Sequence, residues 1–371
     1  MGLQSTTRFY HSYSYVLHPV SHDEWQVAPN VYEQAEDLGG KFTRITKGNP
    51  PYSVANFSPS IIKHKGTTYI AWRSQPEPFC FRWDRNYFYL NNTPTDVWIG
   101  ILGDDQTILG AKPIRSKKHR LSYEDPRLFE GPDGELYIEF VASTYASQYA
   151  KGGKSFFDAP KVVVCYVNEH LEAVNAAFPP IGQNKVKDKT EKNWCFFPHQ
   201  DELRCLYSVR PLVIEREKGA PIEIDSSVLD KVTGGTPTFN SLPPLEIDEG
   251  YLIFYHWKYM TFDKLSNHYL LYHLSAFVID KEFKRITYYA DKPLFSGSLE
   301  DVLISWTDEQ GKPMSRQPAC LLPFGGFIEN DELVMSLGVN DAFNGIFRCP
   351  LNSIKLHLKR VEREEPLIDL S

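Results

Sequence analysis

The chain has no run of the roughly eighteen apolar residues that a membrane-spanning helix needs, so a membrane partner is not expected. Its first twenty residues mix Arg8 with tyrosines and histidines. They offer neither the apolar core nor the small-residue cleavage pattern of a signal peptide, which predicts a cytoplasmic protein. The six cysteines form no C-x-x-C pair, and several stand inside apolar runs such as Val162 to Tyr166. That pattern argues for buried reduced thiols rather than a disulfide framework or a zinc site. The 11 histidines contain no H-E-x-x-H, so no metal is indicated. A net charge of -7 leaves nucleic acid unexpected as a partner. The basic cluster Arg115 to Arg120 is the exception, and it reads as a solvated loop. Long helical periodicity is also missing, because 26 prolines and 23 glycines interrupt it.

What remains is strand-forming sequence. Over 371 residues, 42% are hydrophobic and 14% aromatic, with a mean hydropathy of -0.37. This describes a soluble globular protein rich in strand formers. The length exceeds the usual single domain but suits a repeat-built β fold.

Five segments share one template: a proline or small residue, an apolar pair, a polar turn, then an apolar and aromatic run. They are Ser58 to Ile62 leading to Tyr69–Trp72, Asp125 to Phe129 leading to Leu136–Phe140, and Phe196 to Pro198 leading to Leu203–Tyr207. Thr236 to Phe239 leading to Tyr251–Tyr255 and Leu321 to Phe324 leading to Leu333–Leu337 complete the set. Each reads as a β-hairpin. Most are followed by a further apolar run, which makes blades of about four strands. The expectation is an all-β, five-bladed β-propeller over residues 51–371, with residues 1–50 packing on or closing it.

A propeller gathers the heads of its inner strands around one channel. Polar residues far apart in sequence then become neighbours: Arg73, Glu124, Asp125, Arg127, Glu191, Lys192, Asn193, Arg210, His256, Asn340 and Asp341. In Glu124-Asp125-Pro126-Arg127-Leu128-Phe129 an acid able to protonate a leaving group stands beside a cation able to hold an anion. Read alone, the same hexapeptide is more readily a salt-bridged turn than a catalytic pair. His256 could be a satisfied core histidine and Asp341 a turn cap. Trp72, Trp98, Trp194 and Trp257 read as core, with Trp194 and Trp257 also placed to offer a sugar a stacking face.

These residues resemble glycoside hydrolase family 130. The resemblance is carried by Glu124-Asp125-Pro126-Arg127, by Lys192-Asn193 with Phe196-Phe197-Pro198 and Arg210-Pro211, by Tyr255-His256, and by Leu337-Gly338-Val339-Asn340-Asp341. It extends from about residue 55 to 355. It implies a five-bladed propeller acting as an inverting β-mannoside phosphorylase or a hydrolase. The related glycosyltransferase family 108, which moves mannose among a sugar nucleotide, mannose 1-phosphate and mannan, is similar in fold. By this resemblance Asp125 is the catalytic acid, reaching the glycosidic oxygen through a sugar hydroxyl. Arg127, Lys192, Arg210 and His256 bind phosphate or the donor, and Arg73 and Asp341 lie in the sugar site. Asn56, Glu124 and Asn193 are further sugar-binding candidates. The sequence departs from the family at Ser58-Pro59, where Asn56 comes two residues early, and at Val209, where a histidine usually precedes the arginine. Inserts at Arg82 to Thr95 and Ala146 to Pro160, and a tail through Val232, depart as well.

Inverting hydrolysis needs a second carboxylate roughly 6.5–9.5 Å from the acid. Neighbours in an extended strand face opposite ways, so Glu124 is not expected to share a sugar with Asp125. Phosphorolysis needs cations instead, and Lys192, Arg210, Arg127 and His256 supply them. The expected activity is transfer of a hexosyl group, mannosyl by the resemblance, between a β-glycoside and phosphate. A sugar-nucleotide- or sugar-phosphate-dependent transferase is the alternative; an inverting hydrolase and a non-catalytic glycan-binding propeller are further ones. No cofactor is expected beyond inorganic phosphate or an activated sugar as substrate, with an oligosaccharide or sugar as acceptor.

Overall fold

A computed structural model describes residues 29–48, 55–75, 81–84, 87–90, 95–114, 121–144, 161–177, 179, 192–262, 268–298, 305–307, 313–316 and 319–362. The segment 1–20, Cys80, the basic cluster Arg115 to Arg120, the insert Ala146 to Pro160 and Glu191 lie outside the described residues. So does part of the insert Arg82 to Thr95.

Among the described residues the strands form six sheets. The first runs Ala55–His64, Thr67–Gln75, Asp96–Leu102, Ile108–Ile114. The second runs Leu121–Glu130, Leu136–Thr144, Lys161–Val167, Ala173–Ala177, and the third Cys195–His199, Glu202–Val209, Leu212–Arg216, Ile222–Ile224. All three are antiparallel meanders in chain order. The fourth sheet centres on the long pair Gly250–Phe262 and His268–Ile279. Around that pair lie Thr238–Asn240, Leu245–Ile247, Ile286–Ala290, Phe295–Ser296 and Leu358–Arg360. The fifth consists of Leu321–Leu322, Gly326–Glu329, Glu332–Val339, Phe343–Pro350 and, at its edge, Lys41–Arg44. The sixth joins Phe81–Asp84 and Tyr87–Leu90 to Ser305–Thr307 and Pro313–Arg316.

Each expected hairpin is present, and each of the five template heads opens a different sheet. The arrangement is all-β and propeller-like. The expectation of a five-bladed propeller is corrected: among the described residues four of the six sheets are four-stranded blades, and the other two are enlarged sheets of five and seven strands. Part of the enlargement comes from strands remote in sequence, since Lys41–Arg44 pairs with Phe343–Pro350 and Leu358–Arg360 with Ile286–Ala290; the short local strands Leu245–Ile247 and Phe295–Ser296 supply the rest of the fourth sheet.

Hydrophobic clusters lie between successive sheets. Ile138 and Phe140 meet Val97 and Ile99 between the first and second, and Phe129 meets Trp194 and Phe196 between the second and third. Leu206 and Leu212 meet Ile253 and Tyr255 between the third and fourth, while Leu252 and Phe254 meet Met335 and Phe347 between the fourth and fifth. Val334 and Ile346 meet Trp72 between the fifth and first, which closes a ring. Strands covered on both faces read as continuous apolar runs, as Tyr251 to Tyr255 does. Each fully buried Leu, Ile or Phe contributes roughly 1.5–3 kcal/mol relative to exposure. The helix Val31–Asp37 joins the cluster between the fourth and fifth sheets through Val31 and Ala35. It is capped by the Asn30 side chain, which accepts from the Tyr32 and Glu33 amides. All five described cysteines are buried. Among the described residues no helix is long and apolar enough to cross a membrane.

Candidate functional site

The first and second hairpins each bulge at an Xaa-Pro step: the register jumps between Phe57 and Ser60, and between Glu124 and Arg127. Both residues before the prolines are left-handed, with φ +51° at Ser58 and at Asp125. Such a conformation costs a non-glycine residue on the order of 1–3 kcal/mol and persists where its surroundings over-determine it. Here they do. The Ser58 hydroxyl donates to Asp125 Oδ1 at 3.2 Å, and Arg127 Nη1 donates to the Asp125 carbonyl at 3.2 Å. The fifth sheet approaches so closely that a Cβ on Gly338 would lie 3.0 Å from the Ser58 nitrogen and 3.1 Å from Pro59 Cδ. Buried serines stitch the same region together. Ser60 Oγ accepts from the Leu128 amide at 2.8 Å, and Ser336 donates to the carbonyls of Pro59 and Gly325.

The bulge overturns one expectation. Because Asp125 is left-handed rather than extended, it does not point away from Glu124, and both carboxylates converge on Arg73. Nη2 lies 3.5 Å from Glu124 Oε1 and Nη1 3.7 Å from Asp125 Oδ1. The guanidinium is also 4.9 Å from the Phe57 ring centroid.

Arg127 is directed inward. Besides the Asp125 carbonyl, it donates from Nε to the Ser241 carbonyl at 2.9 Å and from Nη2 to the Asn240 carbonyl at 3.5 Å. It thereby ties the head of the second sheet to that of the fourth. Asn240 passes the link on, donating to the carbonyls of Asn193 and Leu206 at 2.7 Å each. Beneath Arg127, Glu139 lies 3.9 Å from Nε with both side chains buried, and among the described residues neither Glu139 oxygen has a hydrogen-bond partner. Burial pushes this carboxyl up to about 8 against the pull of Arg127. Glu139 is therefore largely protonated at neutral pH, and the positive charge of Arg127 is not cancelled from below.

That charge is felt at His256, whose Nδ1 is 2.9 Å from Ser241 Oγ and whose ring stacks on Phe239 at 5.5 Å. Burial first, then Lys258, Arg127 and Lys192, hold the imidazole well below its usual range. The expectation that His256 contributes a cation is thus corrected: it is neutral at pH 7 and can offer only a hydrogen bond.

Lys192 stands just ahead of the third sheet, and its field reaches both His256 and Lys258. Asp341, left-handed at φ +50°, belongs to the same cluster. Burial, aided by Asp125 and Glu124 and opposed by Arg73, raises its carboxyl to about 7. Its neighbour Asn340 is anchored by accepting from the Cys320 amide at 2.8 Å. Arg73, Glu124, Asp125, Lys192, His256 and Asp341 are therefore brought into one electrostatic neighbourhood by four different sheets and the segment before the third.

The other expected residues are placed apart from this cluster or built into its frame. Arg210 pairs with Asp230 and lies 3.5 Å from the Thr233 hydroxyl. Asn56 is buried and accepts from Trp72 Nε1 at 3.1 Å. Asn193, left-handed at φ +61°, contributes its carbonyl to Asn240. Trp194 and Trp257 pack into the hydrophobic clusters flanking the third sheet, so their side chains are core and the stacking alternative is set aside. Ser58, Asn240, Ser241, Lys258 and Tyr272 take part in the site without having been expected. Ser58 alone carried a signal, since Ser58-Pro59 occupies in the first template the place of Asp125-Pro126 in the second.

No protein-family model matches the chain, and no curated protein matches it by sequence. Solved structures do share its fold. A β-1,2-mannobiose phosphorylase from Listeria innocua, in complex with β-1,2-mannobiose, is 13% identical with a TM-score of 0.50, over 84% of this chain and 94% of that one. A mannose phosphorylase from Leishmania mexicana, in complex with phosphate ion, is 11% identical with a TM-score of 0.50, over 89% and 95%. A GDP-Man-dependent mannosyltransferase from the same organism is 13% identical with a TM-score of 0.51, over 84% and 90%. At these identities the likeness establishes the fold, and it agrees with the family resemblance read from the sequence.

Proposed function

We propose that the chain transfers a hexosyl group, mannosyl by analogy with proteins of the same fold, between a β-glycoside and phosphate with inversion. The observation that carries this reading is the Asp125 carboxyl. Ser58 and Arg73 hold it, Arg127 holds the carbonyl of the strained bulge that carries it, and it shares its surroundings with Lys192 and Lys258. An acid and cations converging on one site suit a reaction in which an anion attacks and an alkoxide leaves.

In the degradative direction a phosphate oxygen attacks the anomeric carbon from the face opposite the glycosidic oxygen. The carbon–oxygen bond breaks, and the departing oxygen takes the proton of Asp125, directly or through a sugar hydroxyl. The products are a hexose 1-phosphate of inverted configuration and the shortened sugar. Arg73, flanked by Glu124 and Asp125, orients the acid, and Asp341 contacts the sugar. His256, neutral and held by Ser241, offers a hydrogen bond to the phosphate or to a hydroxyl. No cofactor is required beyond the phosphate substrate.

A transferase drawing on a sugar nucleotide would use the same acid and cations, with pyrophosphate in the place of phosphate. The two are separated by incubating the protein with hexose 1-phosphates and with sugar nucleotides, each with oligosaccharide acceptors, and following release of phosphate or nucleotide. Phosphate release with a β-linked product supports the phosphorylase, and nucleotide release moves the reading to the transferase. Release of neither from any donor, with no phosphorolysis of mannobioses, rejects both.

A further inference from the structure

Ser58 heads the first sheet as Asp125 heads the second. The two sit at matching Xaa-Pro bulges with the same left-handed φ of +51°, and the bulges meet where the Ser58 hydroxyl donates to Asp125 Oδ1 at 3.2 Å. Ser58 is 2% exposed, and among the described residues its hydroxyl makes this one hydrogen bond. Its backbone is held on every side. Ser336 donates to the Pro59 carbonyl, Ser60 Oγ accepts from the Leu128 amide at 2.8 Å, and the fifth sheet passes close enough that Gly338 has no room for a Cβ without pressing on the Ser58 nitrogen.

The two oxygens of the acid are therefore not equivalent. Oδ1 meets the Ser58 hydroxyl and, at 3.7 Å, Arg73 Nη1. Oδ2 is bonded by no described residue and is not buried, and 16% of the Asp125 side chain is open to solvent. A serine hydroxyl carries a single proton. Were Oδ1 protonated, Ser58 would have to accept from it, and the serine's own proton would be left buried without an acceptor, which is costly. The Arg73 cation beside Oδ1 opposes a proton there as well. With the proton on Oδ2, both contacts to Oδ1 are kept.

We propose that Ser58 is a positioning residue that keeps the transferable proton of Asp125 on Oδ2, the oxygen open to solvent. The proposal rests on the transfer reading above and specifies how its acid is loaded. In the step, the Oδ2–H bond breaks as the departing oxygen takes the proton, directly or through a sugar hydroxyl, and the electron pair of the broken carbon–oxygen bond stays on that oxygen. The carboxylate left behind keeps Ser58 and Arg73 on Oδ1, so its frame has nothing to rearrange.

The full chain is compared as wild type, Ser58→Gly and Ser58→Asn. Glycine takes the left-handed conformation without penalty and removes only the hydroxyl, while asparagine tolerates the same region and brings an amide donor. Phosphorolysis is followed on mannobiose, whose leaving oxygen needs a proton, and on 2,4-dinitrophenyl β-mannoside, whose leaving group departs as a stable anion. Ser58→Gly is expected to lose about tenfold or more in kcat on mannobiose with KM within about threefold, and less than about threefold in kcat on the dinitrophenyl substrate. Ser58→Asn should recover most of the mannobiose rate. A purely structural role would depress both substrates alike. Neutron diffraction of wild-type crystals at acid pH reads the placement without turnover, and should show the acid deuteron on Oδ2 and the Ser58 deuteron directed at Oδ1. Equal losses of Ser58→Gly on the two substrates, an unchanged mannobiose rate in that variant, or an acid deuteron on Oδ1 overturns the proposal. A deuteron on Oδ2 in a wild type that cleaves neither substrate keeps the placement and removes the transfer reading. Phosphorolysis by a wild type with the deuteron on Oδ1 does the reverse.

Discussion

Arg73 Nη1 lies 3.7 Å from Asp125 Oδ1, and the other arm of the same guanidinium reaches Glu124 at 3.5 Å. One cation from the first sheet thus holds two adjacent carboxylates of the second on the same side of the strand, which regular pleating would forbid.

Replacing Arg73 by Met is expected to lower turnover by roughly one to two orders of magnitude, through misplacement of the acid. The carboxyl of Asp341, which Arg73 pulls down, should at the same time titrate above about 7. Carboxyl carbon NMR reads this directly, and an unchanged Asp341 titration would show that Arg73 lies outside the cluster.

The left-handed backbone at Asp125 predicts a separation of stability from function. Glycine adopts φ +51° without a Cβ penalty. Asp125→Gly should therefore unfold at a higher temperature than Asp125→Ala while being equally inactive. If Asp125→Gly melts no higher than Asp125→Ala, the bulge is unstrained.

Gly338 tests how the bulge is set. In Gly338→Ala the new Cβ would press on the Ser58 backbone nitrogen and on Pro59. We expect the Ser58 to Asp125 hydrogen bond to be displaced and turnover to fall about tenfold or more, with a smaller loss of stability, about 1–3 kcal/mol. A crystal structure of the variant with the Ser58 bulge unmoved, and full activity, would contradict this.

Much of the scaffold was legible in the sequence. Hairpins announced themselves through alternating apolar residues and turns such as Lys65-Gly66 and Asn330-Asp331, and the template heads pointed to Arg73, Asp125, Lys192 and Asp341. The rest depended on tertiary context. Lys41–Arg44 and Leu358–Arg360 enlarge sheets whose other strands lie far away in sequence, so strand number could not be counted from the repeats. Alternation failed at Glu124 and Asp125 because a bulge replaced the extended strand. Arg127 and His256 looked like anion ligands, yet the carbonyls of Asn240 and Ser241 and the burial of the imidazole decide what each does. Lys258 was missed because it sits on an apolar strand, and its aromatic surroundings, Tyr272 on the facing strand and Phe239, come only with the fold.

Glu139 gives a pH dependence whose sign can be worked out. Its folded value is raised to about 8 from an ordinary 4.5 by burial. Its contribution to stability is therefore fully present below the unfolded value and is lost as pH rises through the folded one. Wild type should lose stability steadily between about pH 4.5 and 8, with each unit of separation worth about 1.4 kcal/mol at most. Glu139→Gln, which cannot ionise, should show a flatter profile and exceed wild type at pH 8. Parallel denaturation profiles of the two proteins would mean that Glu139 is ionised beside Arg127.

The central claim is that Asp125 gives its proton to the departing sugar oxygen while phosphate attacks. It is tested most directly by following phosphorolysis of mannobioses, and the reverse synthesis from mannose 1-phosphate, in wild type and Asp125→Asn under identical conditions. The account predicts hexose 1-phosphate of inverted configuration from the wild type, and a loss of about 10²–10⁴-fold in Asp125→Asn with phosphate binding and melting temperature retained. Full activity in Asp125→Asn would contradict it.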